Sequence, residues 1–421
     1  MTAVQELAPT QVRYPWRVQD WPLRTKLLWA FLLVALIPLA VSGYVAITAS
    51  REALLQQGNT NLLAMSKNTA QAIDEYLAER REDIVTLAQM PDIISYASAT
   101  DKGATQTLAQ EALAALASRT DYDSVSIMNN SGLIVLSSSD EDLGVVSTAT
   151  YFQDSMQGHP AISDPVISPV SHRPSIYFSA PIKDPAGNVL DVVRSRVNLY
   201  GIWRYVERDA GEAGPGTVGM LLDNHGIRMA HSSSLNDRET IANTLLYRAI
   251  APVPTEVSRQ LIIDGRLAAD SNGKPLVLPL PKVAAAMANP GATTTFETSA
   301  DNSTVRHRAA ITPLENKPWF YVLMAPVPTF TSKADQLGTY FLIISIVVAA
   351  LAALTAILIA GAITRPIVYL TKLAEQMSLG ELDTKIAVHT RDEIGDLADA
   401  LSRMQASLQA AIERLRARRP N

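Results

Sequence analysis

Two apolar runs without a charged residue, Leu27 to Ser50 and Leu337 to Ile363, bracket a largely polar stretch of the chain. At about 1.5 Å of rise per helical residue, each run is long enough to cross the roughly 30 Å hydrocarbon layer of a bilayer. The pattern predicts transmembrane helices over 27–50 and 337–363, with everything between them on one side. Arg13, Arg17, Arg24 and Lys26 precede the first run, and Arg365 and Lys372 follow the second. Under the positive-inside rule both termini are cytoplasmic, and the intervening domain lies on the far side of the membrane. A cleaved signal peptide is the alternative for the first run. Its apolar stretch is longer than the usual signal core, and its leading segment is long.

From Arg51 to Met90 the apolar positions Leu55, Leu62, Met65, Ile73, Tyr76, Leu77, Ile84 and Leu87 recur at helical spacing, with no proline before Pro91. This predicts one long helix that packs along a sheet domain, offers a dimer seam, or does both with two faces. Short strands and tight turns follow. Ser124 to Met128 and Leu133 to Ser137 flank Asn129-Asn130-Ser131-Gly132, and Met220 to Leu222 and Ile227 to Ala230 flank Asp223-Asn224-His225-Gly226. Both read as hairpins, because Asn and Gly tolerate left-handed turn geometry. Their recurrence predicts two tandem modules, a distal one near 91–210 and a proximal one near 215–330, joined at Gly211, Gly214, Pro215 and Gly216.

Further strands are expected at Ile162 to Ser168, Ser175 to Ile182 and Val189 to Leu199 in the first module. The second should have them at Thr293 to Thr298, Val305 to Thr312 and Trp319 to Pro326. The proline-bearing stretch Asn272 to Pro290 reads as a surface loop.

Beyond the second run, Ile367, Leu370, Ala374 and Met377 form a short heptad pattern that stops at Gly380. Ile394, Leu397, Leu401, Met404, Leu408, Ala411 and Leu415 form a longer one opening at Arg391. Two such helices, joined by an extended connector bearing Leu382 and Ile386, predict a parallel four-helix bundle made by two chains. The second run is followed by this element over 364–418, and the first is preceded by a cytoplasmic segment, 1–26.

Composition narrows the function without naming a chemistry. The 421 residues hold 36 basic and 41 acidic side chains, a net charge of −5 that excludes a nucleic-acid footprint, and the absence of cysteine excludes a disulfide scaffold. No phosphate-binding loop, metalloprotease helix or paired-cysteine metal site occurs, so neither cofactor nor metal is expected. No nucleophile, base and oxyanion donors assemble from the residues, which argues against an enzyme.

The order of long helix, strand and Asn-Asn-Ser-Gly turn, then Ile162-Ser163-Asp164-Pro165-Val166-Ile167-Ser168-Pro169 and Ile176-Tyr177-Phe178-Ser179-Ala180-Pro181-Ile182, resembles the distal module of a double Cache (dCache) sensor. Lys317-Pro318-Trp319-Phe320-Tyr321-Val322-Leu323 and Ala325-Pro326-Val327-Pro328 are similar to the close of its proximal module, so the resemblance covers about 51–335. The tail resembles a HAMP signalling domain through Pro366, Gly380-Glu381-Leu382 and Asp392-Glu393-Ile394-Gly395. These resemblances imply an α+β domain of two PAS-like antiparallel-sheet modules and a HAMP coiled coil in a homodimer. They also imply a signalling role for Glu393, whose plainer reading, with Asp392, is capping of the second helix.

The implied function is a transmembrane receptor that binds a small solute in the distal module and signals through the bundle. The chain ends soon after the second helix, so output is expected from a cytoplasmic kinase or receptor in trans. A sensory fragment whose output domain is lost or separately encoded, or a non-enzymatic membrane adaptor, are the alternatives. Amino-acid-binding relatives in the dCache family resemble one another in an Arg-x-Trp-Tyr stretch and a later Asp. This chain instead reads Thr148-Ala149-Thr150-Tyr151-Phe152 and Val192-Val193-Arg194-Ser195-Arg196. Alternate strand residues share a face, so Arg194 and Arg196 point together, and arginine forks suit carboxylate or phosphate oxygens. An anionic solute is therefore expected, held by Arg194 and Arg196 with Tyr151, Tyr177 and Arg173 nearby. Pro366 and Glu393 are the expected signalling positions.

Overall fold

The computed structural model describes residues 21–140, 144–168, 173–232, 244–289, 294–300 and 304–417. Arg13, Arg17, Pro169 to His172, Pro290 and Thr293 lie outside the described residues. The chain divides into two compact units, one comprising 52–332 and the other 1–51 with 333–421.

The helix expected from Arg51 does not start there. A single helix α1, Leu23–Ala88, runs through the first apolar stretch and onward, with Pro38 its one internal proline. Nothing between Ser50 and Arg51 interrupts the backbone hydrogen bonds, so a change of side-chain polarity there changes the surroundings and not the fold. Pro91 opens the next helix, α2 (Pro91–Ser98), since a proline in the first turn gives up no needed N–H. Helix α3 (Gly103–Ala117) follows.

The first sheet contains β1 (Tyr122–Met128), β2 (Ile134–Ser137), β3 (Ala161–Ile162), β4 (Val166–Ile167), β5 (Pro174–Lys183) and β6 (Val189–Asn198). Its order is β2-β1-β6-β5-β3, with β4 also on β5 and all these pairs antiparallel. One strand expected over Ile162 to Ser168 is thus two short pieces, separated by Ser163, Asp164 and Pro165. Pro165 has no N–H to donate to a ladder.

Helix α4 (Thr150–Met156) lies between β2 and β3 in the chain, and α5 (Tyr200–Glu212) follows β6. The second sheet is built from β7 (Val218–Leu222), β8 (Arg228–His231), β9 (Thr294–Ser299), β10 (Arg306–Pro313) and β11 (Phe320–Pro326), in the order β8-β7-β11-β10-β9. Position for position this is the path of the first sheet. The two hairpins match down to one atom. Asn129 Oδ1 accepts from Ser131 and Leu133 N–H at 3.1 and 2.9 Å, and Asp223 Oδ1 accepts from His225 and Ile227 N–H, both at 2.8 Å. Gly132 (φ 79°) and Gly226 (φ 73°) supply the left-handed residue that closes each turn.

One core joins α1 to both sheets. Ile73, Leu77 and Ile84 of α1 meet Ile127, Phe178, Val193 and Val197 of the first sheet and belong to one cluster with Leu221, Tyr321 and Leu323 of the second. Polar ties reinforce it. The Asp74 carboxylate accepts from the Glu315 and Asn316 N–H groups at 2.8 and 2.9 Å, pinning the β10–β11 turn to α1. The opposite face of the second sheet is also covered, which corrects the expectation of a surface loop over Asn272 to Pro290. That stretch contains a helix, α7 (Pro281–Met287), after α6 (Thr255–Ile263), and its Leu280 and Val283 are buried against Met220, Ile311 and Val322.

The other unit contains the apolar part of α1, helix α8 (Val327–Ile359) from Lys333 onward, a π-helical turn over Ala360–Thr364, and helices α9 (Arg365–Ser378) and α10 (Glu393–Ala417). Among the described residues, two helices, α1 and the helical run Val327–Ser378, are long and apolar enough to cross a membrane. They touch closely where Gly43 faces Phe341, since a Cβ on Gly43 would sit 2.8 Å from the ring. The π turn has a local cause. Pro366 offers no N–H to the carbonyl four residues back and its ring crowds that carbonyl, so the ladder widens there.

Gly380 (φ 94°) ends α9, and Leu370, Leu373 and Ala398 pack with Ile386, Val388, Ile394 and Leu401. Gln405 holds the connector, donating to the Leu382 and Thr384 carbonyls at 2.6 and 2.9 Å.

Candidate ligand-binding site

Strands β5 and β6 are buried along almost their whole length because the first sheet is covered on both faces. Val193 and Val197 face the α1 core. Val192 belongs to a second cluster on the opposite face, with Met128, Tyr151, Phe152 and Tyr177. By the strand period of two, Arg194 and Arg196 share the Val192 face, as the sequence predicts.

Arg194 sits in register between Ser126 of β1 and Ser179 of β5. Its Nε donates to Ser126 Oγ at 3.1 Å and its Nη1 to the Tyr151 hydroxyl at 2.8 Å. The guanidinium lies 5.0 Å from the centroid of the Tyr177 ring, and the Tyr151 and Tyr177 rings stack at 5.2 Å. Helix α4 is held in place by Ser155 Oγ donating to Ser179 Oγ at 2.8 Å and Ser179 Oγ donating to the Tyr151 carbonyl at 2.9 Å. A buried cation is thus fixed by two hydroxyls and an aromatic face, which suits a guanidinium and removes most of its rotamer freedom.

Arg194, Tyr151 and Tyr177 line a cavity of about 630 Å³, within the range of small-molecule sites. Its other walls come from Val145 and Val146, from Ser163 and Asp164, and from Gln260, Asp264 and Arg266 of the second module. Two expected residues stand elsewhere. Arg196 is buried on the same face, but its Nε lies 4.0 Å from Asp123 Oδ2 and it does not line the cavity. Arg173 is exposed at the head of β5 and does not line it either. The reason is depth: two residues along a strand are nearly 7 Å apart, so a shared face does not guarantee a shared pocket.

Sequence reasoning missed the opposite wall. Asp164 Oδ2 lies 2.9 Å from Arg266 Nη2 and Asp164 Oδ1 lies 3.1 Å from Lys317 Nζ, while Trp319 Nε1 donates to Oδ1 at 3.1 Å. Arg266 also reaches Asp223 Oδ2 at 3.1 Å, and Lys317 donates to the Ile162 carbonyl at 3.0 Å. Burial would raise the Asp164 pKa, but Lys317, Arg266 and the Trp319 N–H outweigh it and hold the carboxyl below its ordinary value. Asp223 goes the other way, raised by burial despite its two backbone donors and Arg266. Asp164 and Lys317 stood in the motifs that resemble dCache modules, yet their partnership spans the two modules and leaves no periodic trace. Arg266 had no signal at all.

In the tail, Pro366 lies in the first turn of α9. Asp392 Oδ1 accepts from the Ile394 and Gly395 N–H groups at 3.1 and 3.2 Å, capping α10, while Glu393 is its exposed first residue. Hydrogen bonds from Thr390, Gly395 and Ile394 keep the Asp392 carboxyl below its usual pKa. A Cβ on Gly395 would collide with the Thr390 carbonyl, which accounts for glycine there.

The HAMP domain family model matches residues 358–410. No curated protein matches the chain. Among solved structures, the sensor domain of the V. cholerae histidine kinase DctB aligns at 11% identity and a TM-score of 0.47, covering 63% of this chain and 98% of that one. The ligand-binding domain of the Campylobacter jejuni chemoreceptor Tlp3, in complex with 4-methylisoleucine, aligns at 13% identity and 0.46, covering 66% and 94%. That of the Pseudomonas fluorescens chemoreceptor CtaA, in complex with L-leucine, aligns at 15% and 0.44, covering 67% and 99%. The chain carries a HAMP domain behind two candidate membrane helices and an antiparallel-sheet domain of two tandem modules, the arrangement that the double Cache and HAMP resemblances imply.

Proposed function

We propose that this protein is a bacterial inner-membrane receptor whose distal module binds a small carboxylate-bearing solute. The observation that carries the reading is Arg194, immobilised by Ser126, Tyr151 and Tyr177 at the wall of the cavity. A fixed guanidinium in a half-apolar pocket binds a carboxylate with little further ordering, which favours affinity. The 1–26 segment and the HAMP domain lie in the cytoplasm, and 51–335 lies outside. Signal leaves the sensor along the chain, since β11 (Phe320–Pro326) runs directly into α8 (Val327–Ile359). Ligand need shift a two-state equilibrium by only about 1–3 kcal/mol for a graded response. No step of this reading requires chemistry on the solute, so the chain acts as a receptor and not as an enzyme.

Two copies form the signalling unit. In the single chain Leu397, Met404 and Leu408 remain 47%, 47% and 41% exposed at heptad positions of α10. A parallel homodimer covers them, with Pro366 and Glu393 at the junctions through which motion enters the bundle. Output comes from a kinase or receptor protein in trans.

The test is isothermal titration of the full chain in lipid nanodiscs with panels of carboxylates, amino acids and amines. Binding of carboxylate-bearing compounds that is lost in Arg194→Gln supports the reading. Binding of amines alone, or binding that Arg194→Gln leaves intact, overturns it.

A further inference from the structure

The second unit contains a cavity of its own, of about 370 Å³, where both apolar runs meet their flanking charges. Arg24, Arg365 and Lys372 line it together with Ile357, Val368 and Tyr369. Among the described residues no acidic side chain lines it, and none of these three cations pairs with a carboxylate. The π turn ahead of Pro366 forms part of the wall through Ala360, Gly361 and Thr364. The Thr364 hydroxyl is buried there without a hydrogen-bond partner among the described residues. Half of the cavity is therefore cationic with an unused hydroxyl, and half is apolar.

We infer that this cavity binds the headgroup of an anionic glycerophospholipid. Its place in the chain is the boundary at which hydrocarbon gives way to headgroups, because Arg24 lies just before the first apolar run and Arg365 just after the second. A phosphodiester carries the oxygens that arginine forks and a lysine ammonium hold best, and each such cation near an anionic surface contributes about 1 kcal/mol. The Thr364 hydroxyl gives the headgroup a further donor. Ile357 and Val368 then receive the upper part of an acyl chain, and the Tyr369 ring lies at the level where aromatic side chains favour the interface. A free phosphate would gain nothing from the apolar half, which decides the source in favour of lipid. A lipid held there contacts residues at the ends of both α1 and α9, so its occupancy bears on how α9 enters the HAMP domain. The inference rests on the two helices crossing a bilayer and is independent of any solute in the sensor.

Native mass spectrometry of the full chain, exchanged into equal amounts of phosphatidylglycerol and phosphatidylcholine with identical acyl chains, tests it. Preferential retention of phosphatidylglycerol is expected, falling about tenfold or more in an Arg24→Gln, Arg365→Gln, Lys372→Gln variant. A variant with the same charge loss elsewhere, Lys385→Gln, Arg391→Gln, Arg403→Gln, should keep the preference, as should Arg365→Lys. Equal retention of both lipids by the unaltered protein overturns the inference. So does an equal loss in the charge-matched control, or displacement of the lipid by inorganic phosphate.

Discussion

Asp164 and Arg266 stand 2.9 Å apart across the line between the two sensor modules, one on the β3–β4 segment of the first and the other just after α6 of the second. Both also line the cavity that contains Arg194. On the proposed reading, a solute bound there contacts a wall whose two halves belong to different modules, so its occupancy would alter how they are held together. Only a differential contact of this kind lets a ligand shift a conformational equilibrium.

Replacing Asp164 by Asn should therefore lower stability and also uncouple the modules. The substitution leaves Arg266 and Lys317 half-buried without their shared carboxylate, at a cost of about 2 kcal/mol. Thermal unfolding of the purified protein should show a lower Tm.

The same carboxylate sets a pH dependence. Its folded pKa is depressed, so its contribution is complete above the unfolded value of about 4 and is lost as pH falls through the lower folded value. The Tm difference between the unaltered protein and Asp164→Asn should be constant above about pH 5 and shrink below about pH 4. A difference that stays level down to pH 3 would show that the pairs contribute no charge-dependent stability.

Tyr151→Phe separates geometry from packing at the cavity. It keeps the ring stacked on Tyr177 but removes the hydroxyl that Arg194 Nη1 meets at 2.8 Å. Loss of one such bond to a charged group costs about 1.5–3 kcal/mol at most. Solute affinity should fall roughly tenfold with near-unchanged circular dichroism, and an unchanged titration would remove Tyr151 from the site.

In the HAMP domain, Met404→Cys should crosslink between chains under mild oxidation, because Met404 is 47% exposed at a seam position of α10. A Gly395→Ala change should weaken that dimer. Its Cβ meets the Thr390 carbonyl, a backbone atom that cannot turn aside as a side chain would. Crosslinking yield in membranes, compared between Met404→Cys alone and in the Gly395→Ala background, reads both effects. Glu393→Ala, by contrast, removes an exposed side chain. Solute affinity should stay the same, and only the output bias of a chimera carrying a reporter kinase should move.

The membrane runs, both Asn/Asp-Gly hairpins and the two heptad helices were legible in the sequence, because each follows from local rules: uninterrupted apolarity, left-handed turn residues and a 3-4 repeat. The shared face of Arg194 and Arg196 was legible for the same reason, since strand alternation is a property of the backbone. Which of them reaches the cavity was not. That depends on α4 closing over Ser179 and placing the Tyr151 hydroxyl against Arg194, a contact between residues 43 positions apart. The wall formed by Asp164 and Arg266, with Lys317 paired to Asp164 behind it, likewise arises only when two separately patterned modules pack on one helix. The burial of Leu280 and Val283 inside an apparent loop has the same origin. Local chemistry writes periodic or motif signals along a chain, whereas a pocket is defined by side chains that meet only after the sheets have been covered, and their spacing carries no period to read.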